Sequence, residues 1–535
     1  MLSEDKYFQD LTEAELWQRY CGFLDLSIDE FMDIQKELLM DEIDRVTDSL
    51  LGKKIMGKRK PKSVEEFRRT VPLTTYDDYE PYLSEQREDA LAIKPEIWSH
   101  SAGRGGRFKW LPYSSEFLEK VTKCLLAAII LASTNQKGRV NISPGIRALL
   151  LLPPPPYASG CLFQAVAQRF SVHAILDSEK IKDLELQERA KAGFQIALKD
   201  GVDAIGALGS VLVRMGEAFT GQTRSVKFSP SMLHPKIVNR MLRAWLRSKR
   251  EKRAILPKDL WPTKAIMAAG MDTTLYRDDI ARYWGSEPYE FYACAESQIV
   301  AMQGWNRKGM GFPPDMVFLE FIPYQEQLEH QDDKDYQPTT VLLDEVEEGK
   351  LYEVVITHFY GMPLLRYRMK DIIKVIALRD DEAGVNLPHI IFQRRIGETI
   401  NLAGLAELDE KTIWQAIANT GVKYTDWAAC KEYDQNQSFL HLYLELKEEK
   451  EATEVATMVD EQLKIVDTDY KDIDIYLKIK PVRVTFLSAG TFLRYMEEKR
   501  KEGAELMHLK PSHMNPPEAV IERLLQLSEV GKEER

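Results

Sequence analysis

Residues 101–109 read Ser101-Ala102-Gly103-Arg104-Gly105-Gly106-Arg107-Phe108-Lys109, three glycines in nine positions, opened by a hydroxyl and closed by a lysine. The chemistry open to such a segment is anion binding. Glycine admits positive φ and close backbone approach, so successive N–H groups can converge on one phosphate while Arg104 and Lys109 add charge. The Gly-Lys-Ser/Thr ending of a P-loop is absent, and a purely structural turn has the same composition, so both readings stand on these residues alone. The neighbouring His100-Ser101 pair has no G-x-S-x-G elbow around it, which argues against a hydrolase. The histidines, among them His358, His508 and His513, show no H-E-x-x-H or regular metal spacing and are expected to be structural. The cysteines, Cys21, Cys124, Cys161, Cys294 and Cys430, are odd in number and scattered, so neither a disulfide framework nor a zinc site is indicated. Cys294 has no base nearby in sequence and reads as a small buried residue, not a nucleophile.

Further segments follow the loop in order: Phe291-Tyr292-Ala293-Cys294-Ala295-Glu296-Ser297, then residues 364–371 (L-L-R-Y-R-M-K-D), 392–404 (F-Q-R-R-I-G-E-T-I-N-L-A-G) and 503–511 (G-A-E-L-M-H-L-K-P). Together with residues 101–112 they resemble the motifs of the auxin-responsive acyl acid amido synthetases. These are the plant and bacterial indole-acetate and jasmonate type within the adenylate-forming superfamily of firefly luciferase and acyl-CoA synthetases. The resemblance spans nearly the whole chain. It implies that Ser101, Ala102, Gly103, Arg104, Gly105, Gly106 and Lys109 grip ATP phosphates, and that Tyr292, Ala293 and Ala295 flank the nucleotide. It further implies that Glu296 helps hold Mg²⁺, Asp371 accepts hydrogen bonds from the ribose hydroxyls and Arg395 reaches ribose or phosphate. Lys510 would neutralise charge developing on the α-phosphate. The chain departs from the family pattern at Arg104 and Gly105, which replace hydroxyl residues, at Ala295, which replaces Ser or Thr, and at Lys370 and Gly397, which replace a glycine and a hinge acid.

The implied activity is that of an acid–amino acid ligase. A carboxylate is activated as acyl-adenylate with release of pyrophosphate, and an amine, expected to be an amino acid, then displaces AMP. ATP and Mg²⁺ are the implied cofactors. Two alternatives remain: an acyl-CoA ligase of the same superfamily, and a nucleotide-binding homologue impaired in catalysis. A surface cluster of Arg366, Arg368 and Asp371 is the plainer alternative to a ribose site.

These residues need a scaffold, and the periodicity supplies one. Apolar residues up to about Lys60 recur at helical spacing, predicting opening helices that pack on a sheet. Ser114 is placed to cap a helix with Glu116 in its first turn. Residues 148–152 are continuously apolar and stopped by prolines, which suits a strand buried on both faces of a parallel sheet. Strands are also expected at 264–268 and 289–293, alternating with helices, and then more closely at 316–322, 340–343, 351–357 and 372–377. From about Asn401 the pattern restarts with strands at 439–446, 474–479 and 482–487 and a helix at 451–465. The expected architecture is α/β: a large N-terminal adenylation domain, residues 1–395, with mostly parallel sheets and a β-rich subdomain, then a small mobile α+β domain, residues 396–535.

Bulk properties agree with a globular enzyme. With 44% hydrophobic and 29% charged residues the chain can build large cores, and a net charge of −12 argues against nucleic acid as its main partner. The partners expected are a small carboxylic acid and an amine. The basic run from Arg240 to Arg253 is most simply a solvated helix face, with phosphate binding as the alternative. No apolar stretch is long enough to span a bilayer and no secretory leader is visible, so the cytoplasm is the expected compartment.

Overall fold

The computed structural model describes the chain apart from residues 58, 102–108, 151–154, 177–192, 194–195, 224–233, 270–272, 330–335, 396–398, 403–405, 435–436, 468–469, 472–480, 503–509 and 534–535. It divides into two compact units, Met1–Gln393 and Arg394–Arg535. In the first, β1 (Ile97–His100) and β2 (Trp110–Tyr113) form an antiparallel hairpin. Its other strands are β3 (Ile146–Leu150), β4 (Val172–Ala174), β5 (Ala204–Leu208), β6 (Ala265–Ala269), β7 (Tyr289–Cys294), β8 (Gln298–Gln303), β9 (Met310–Gly311), β10 (Val317–Pro323), β11 (Leu351–His358), β12 (Tyr367–Ala377) and β13 (His389–Arg395). Among the described residues these eleven make one sheet, in the order β10-β11-β12-β13-β9-β8-β7-β6-β5-β3-β4.

From β4 to β7 every pairing is parallel. The short apolar runs there feed two cores, one on each face: Ala148, Ala204 and Ala265 enter one, and Leu149, Ile205, Ile266 and Ala268 the other. A strand covered on both faces has no place for alternating polar residues, which is why these segments read as continuous apolar runs. From β7 onward the pairings become antiparallel. The closely spaced strands of the expected β-rich subdomain are hydrogen-bonded into the same sheet. The strand expected at 340–343 is reduced to a single bridge, Phe321↔Val341, followed by a 3-10 turn at Leu343–Glu345.

The opening helices pack on this sheet as expected. Helix Ile28–Val46 carries buried Gln35, whose amide donates to Val317 O at 2.9 Å and accepts from Leu319 N at 2.9 Å. A side-chain amide thereby pairs with the β10 edge of the sheet and blunts it. Ser114 does cap helix Ser115–Ala132, accepting from Phe117 N at 3.2 Å.

The second unit contains a short hairpin, β14 (Ile400–Leu402) with β15 (Ala406–Leu408), and a sheet of β16 (Tyr424–Asp434), β17 (Gln437–Leu446) and β18 (Val482–Leu487). β16 and β17 are antiparallel; β18 joins β17 in parallel. Period-two alternation sends Trp427, Ala429, Leu440, Leu442 and Leu444 to one core and Ala428 and Tyr443 to the other. The expected strand at 474–479 lies outside the described residues.

Candidate functional site

The turn between β7 and β8 is where three of the sequence motifs meet. Tyr292 lies on β7, and its hydroxyl donates to Asp371 Oδ2 at 2.5 Å. Both residues are buried, and the Tyr292 ring packs against Phe392 with centroids 5.4 Å apart. Asp371 reaches this position because β12 bulges. Pairing with β11 runs Glu353↔Ile372 and then Val355↔Arg368, so two steps on β11 match four on β12. Lys370, inside the bulge, has φ +59°. That left-handed conformation is one glycine adopts without Cβ strain, which accounts physically for the glycine found there in the resembled motif.

Glu296 sits in the turn after β7, buried, with its carboxylate accepting from the Tyr367 hydroxyl at 3.2 Å and 3.6 Å from Lys109 Nζ. Lys109 Nζ also donates to the Tyr367 hydroxyl at 3.2 Å and lies 5.4 Å from the centre of the Tyr76 ring. Lys109, Tyr367 and Glu296 therefore form one cluster, and Tyr292 with Asp371 a second. β7 carries Tyr292 and leads into the Glu296 turn, while β12 carries both Tyr367 and Asp371. The turn is pinned from two sides. Tyr113 of β2 donates to Ala295 O at 2.5 Å, and His358 Nε2 donates to Glu296 O at 2.7 Å. His358 Nδ1 accepts from Leu364 N at 3.3 Å, so the ring works as a neutral tautomer with both nitrogens used. Burial pushes its pKa down to about 4. His358 is structural, as expected, and so is His100, whose ring packs edge-on against Trp110 and Tyr157.

Ser101 and Lys109 flank the glycine-rich segment, and Ser101 N donates to Lys109 O at 3.0 Å, which extends the β1–β2 pairing by one bond. Ala102, Gly103, Arg104, Gly105 and Gly106 lie outside the described residues. Ala293 is exposed on β7 and Ala295 is half-buried in the turn. Cys294 lies beside Ser297, Sγ to Oγ 3.1 Å, and burial pushes its thiol up to about 12, which is inert behaviour.

Arg366 and Arg368 do not form a surface cluster with Asp371. Arg366 is buried against Glu320 of β10 in a two-pronged pair, Nη2 to Oε1 at 2.8 Å and Nε to Oε2 at 3.0 Å. Arg368 pairs with Glu353 of β11 through Nε at 2.9 Å and Nη2 at 2.5 Å. Tyr76, Tyr113 and Tyr367 are site residues that the sequence reading did not single out. Tyr367 stood inside a quoted motif, whereas Tyr76 and Tyr113 carry no local signal.

Arg395 ends β13 and belongs to the second unit. Lys510, also in the second unit, donates from Nζ to Asp426 Oδ2 at 2.7 Å. His513 bonds the other Asp426 oxygen through Nε2 at 2.8 Å and Glu410 through Nδ1 at 2.5 Å, and stacks on Trp427. Burial alone would raise the Asp426 pKa, but the His513 hydrogen bond and the Lys510 charge hold it well below the usual carboxylate range. Burial would lower that of His513, yet its bonds to Asp426 and Glu410 push it up to about 9. The raised histidine contributes stability that is complete below its ordinary pKa of 6.5 and lost as pH rises through about 9. The depressed carboxylate contributes stability that is present above its ordinary pKa of 3.8 and lost as pH falls through its lowered value. The second unit should be most stable between these ordinary values, and its denaturation midpoint should decline from pH 6.5 to 9. His513→Gln should flatten that decline; an unchanged slope would remove His513 as its source.

The architecture is the fold of adenylate-forming enzymes. The acyl acid amido synthetase AtGH3.15 in complex with 2,4-DB superposes with a TM-score of 0.67 at 17% identity, over 98% of this chain and 97% of that one. A 2-hydroxyisobutyryl-CoA ligase in the postadenylation state superposes with a TM-score of 0.62 at 13% identity, over 96% and 94%. Residues 22–151, 311–395 and 410–518 match the GH3 family N-terminal, central and C-terminal domains, which together cover more than half of the sequence. The chain belongs to the GH3 family. A jasmonoyl–L-amino acid synthetase of Oryza sativa subsp. japonica is 24% identical over 294 residues, 50% of this chain and 48% of its own length. An indole-3-acetic acid-amido synthetase of Arabidopsis thaliana is 30% identical over 129 residues, 22% of this chain and 20% of its own. The chain thus spans about half the length of the first of these relatives and a fifth of the second.

Among the described residues no helix is long and apolar enough to cross a membrane, and no group of three or more His, Cys, Asp and Glu side chains could hold a metal ion. The Glu296 carboxylate fits a Mg²⁺ ion held mainly by phosphate oxygens and water.

Proposed function

We propose that the protein is an ATP-dependent acyl acid amido synthetase with its adenylation site at the β7–β8 turn. The carrying observation is the convergence on that turn of Tyr292 with Asp371 and of Glu296 with Lys109 and Tyr367. In the first step a carboxylate oxygen attacks the α-phosphorus of ATP, and the bond to the pyrophosphate oxygen breaks. In the second an amine nitrogen attacks the acyl carbonyl carbon, loses a proton and expels AMP. Such chemistry needs positioning and charge neutralisation more than covalent help from the protein.

The residues divide accordingly. Asp371, already fixed by Tyr292, offers acceptor oxygens to the ribose hydroxyls. Lys109 stands at the root of the glycine-rich loop and faces the phosphates. Bound Mg²⁺ would supply charge neutralisation at the phosphate oxygens, with Glu296 as its protein ligand. Ser101 and residues 102–106 would add backbone N–H groups, and Arg395 a contact to ribose or phosphate. Lys510, carried by the second unit, would neutralise charge on the α-phosphate during adenylation. Withdrawal of a mobile small domain, residues 396–535, would then open the site to the amine. The cytoplasm is the proposed compartment.

Exchange of radiolabelled pyrophosphate into ATP, measured with a panel of carboxylic acids, tests the first step. The expected result is exchange that depends on one class of acid; nucleotide binding without exchange for any acid would overturn the assignment. Offering amino acids and coenzyme A in parallel then tests the second step. Amide formation is expected, and a thioester product would replace the amido synthetase reading with an acyl-CoA ligase.

A further inference from the structure

The basic run noted in the sequence lies on helix Pro235–Glu251, and the structure shows more there than a solvated face. Ile237 and Ala244 are buried against the domain, and Arg240 ties the helix down by donating to Ala197 O at 2.8 Å and Leu198 O at 3.2 Å. On another side of the same helix Val238, Leu242, Trp245 and Leu246 are exposed by 48%, 53%, 49% and 55%. Their spacing of four, three and one places them in a single stripe along about two turns. Isolated exposed apolar residues need no explanation, but a contiguous stripe centred on a tryptophan marks a surface that meets another phase.

The charges beside the stripe identify that phase. Between Pro235 and Arg253 the sequence carries eight Lys and Arg residues against the single acid Glu251, in a chain whose net charge is −12. Some of these cations are used internally: Arg253 pairs with Asp259, and Arg247 lies 3.8 Å from it. Lys236, Arg243, Lys249, Arg250 and Lys252 are exposed and, among the described residues, make no ion pair. Lys249 Nζ sits 5.8 Å from the centre of the Trp245 ring, which puts a cation beside the apolar stripe. Apolar residues with an interfacial tryptophan, flanked by unneutralised Lys and Arg, are complementary to an anionic bilayer surface. A protein groove that engulfs a helix is disfavoured, because the Ile237 and Ala244 side is already occupied by the domain. A planar surface asks only for the side that is free.

We propose that helix Pro235–Glu251 is a peripheral membrane-docking surface, inserting Val238, Leu242, Trp245 and Leu246 among anionic phospholipids whose headgroups pair with the flanking cations. The proposal is independent of the adenylation chemistry, since none of these residues belongs to the site at the β7–β8 turn.

Sedimentation of the full chain with vesicles tests it, comparing phosphatidylcholine alone with phosphatidylcholine mixed with phosphatidylserine. Binding is expected to the mixed vesicles and to fall steeply with added salt. The double variant Trp245→Glu/Leu246→Glu should abolish it while leaving pyrophosphate exchange unchanged. A second variant, Arg243→Glu/Arg250→Glu, keeps the apolar stripe and should weaken binding by roughly thirtyfold or more. Equal binding to both vesicle types, or no loss in either variant, would overturn the proposal. So would a dimer in sedimentation velocity that the Trp245→Glu/Leu246→Glu variant converts to monomer, since the stripe would then meet a second copy of the chain.

Discussion

Lys510→Ala is expected to lower acid-dependent pyrophosphate exchange by about 10²–10³-fold with little change in ATP affinity, because a charge aimed at the developing transition state acts on the step and not on the ground state. Asp371→Ala should do the opposite. Removing a buried carboxylate that accepts from neutral hydroxyls costs roughly 1–3 kcal/mol of nucleotide binding, about 5–150-fold in Kd, and exchange at saturating ATP should fall far less. Equilibrium nucleotide titration alongside exchange kinetics separates the two effects. Similar small changes from both variants would remove both residues from their proposed roles.

The pairing of Lys510 with Asp426 adds a condition to this experiment. In the role proposed for it, Lys510 would exchange this carboxylate for phosphate, with His513 holding Asp426 in place. Asp426→Asn removes the competing charge but also an anchor, so it should change the rate of adenylation without changing ATP affinity. The same division between rate and binding that identifies Lys510 therefore extends to the residue that holds it.

The parts of the candidate site that were legible in the sequence are those whose residues lie close together along the chain. Tyr292 and Glu296 lie four residues apart at the end of one strand, and Asp371 closes a motif whose penultimate residue adopts positive φ. Such constraints are local, so they leave a local trace. Tyr113, Tyr76 and His358 left none, because each acts across the chain: Tyr113 on Ala295 O, Tyr76 on the Trp110 backbone, His358 on Glu296 O. Any tyrosine or histidine of suitable reach would look the same in sequence.

The fold shows the same division. β3 and β6 were legible from apolar runs that both faces of the sheet require. β8 (Gln298–Gln303) was not anticipated, since its ends are polar and its partners are decided by the turn at Glu296. Residues 340–343 had strand composition, but Val341 alone pairs with Phe321. Composition reports what a segment tolerates; pairing depends on whether a sheet edge is available, and Gln35 already serves much of the β10 edge.

Arg366 carries the second large prediction. The surface-cluster alternative would place it in solvent, but it is buried with Glu320, each charge standing inside an apolar run, Leu364-Leu365-Arg366 and Val317-Phe318-Leu319-Glu320-Phe321. That placement was the available cue, because a charge amid core residues needs a partner. The guanidinium also donates to Val71 O at 2.7 Å and to Arg68 O, and Thr340 Oγ1 donates to Glu320 Oε1 at 2.6 Å. One pair thus ties β10, β12 and the chain before the β1–β2 hairpin together, immediately beside Tyr367. Arg366→Met should destabilise the large unit by about 3–5 kcal/mol, because Glu320 is then left buried with only the longer 3.7 Å contact to Arg68 as counter-charge. Arg366→Met with Glu320→Leu should recover much of that loss, since replacing both charges by apolar groups is often near neutral. Denaturation of the single and double variants completes the cycle. A coupling below about 1 kcal/mol would mean that the pair behaves like an exposed one and that the network does not hold β12 in place. With strong coupling, the recovered double variant also isolates a functional question. If it folds but binds nucleotide poorly, the backbone carbonyls that Arg366 gathers, rather than its charge alone, are what set Tyr367 and Asp371 in position.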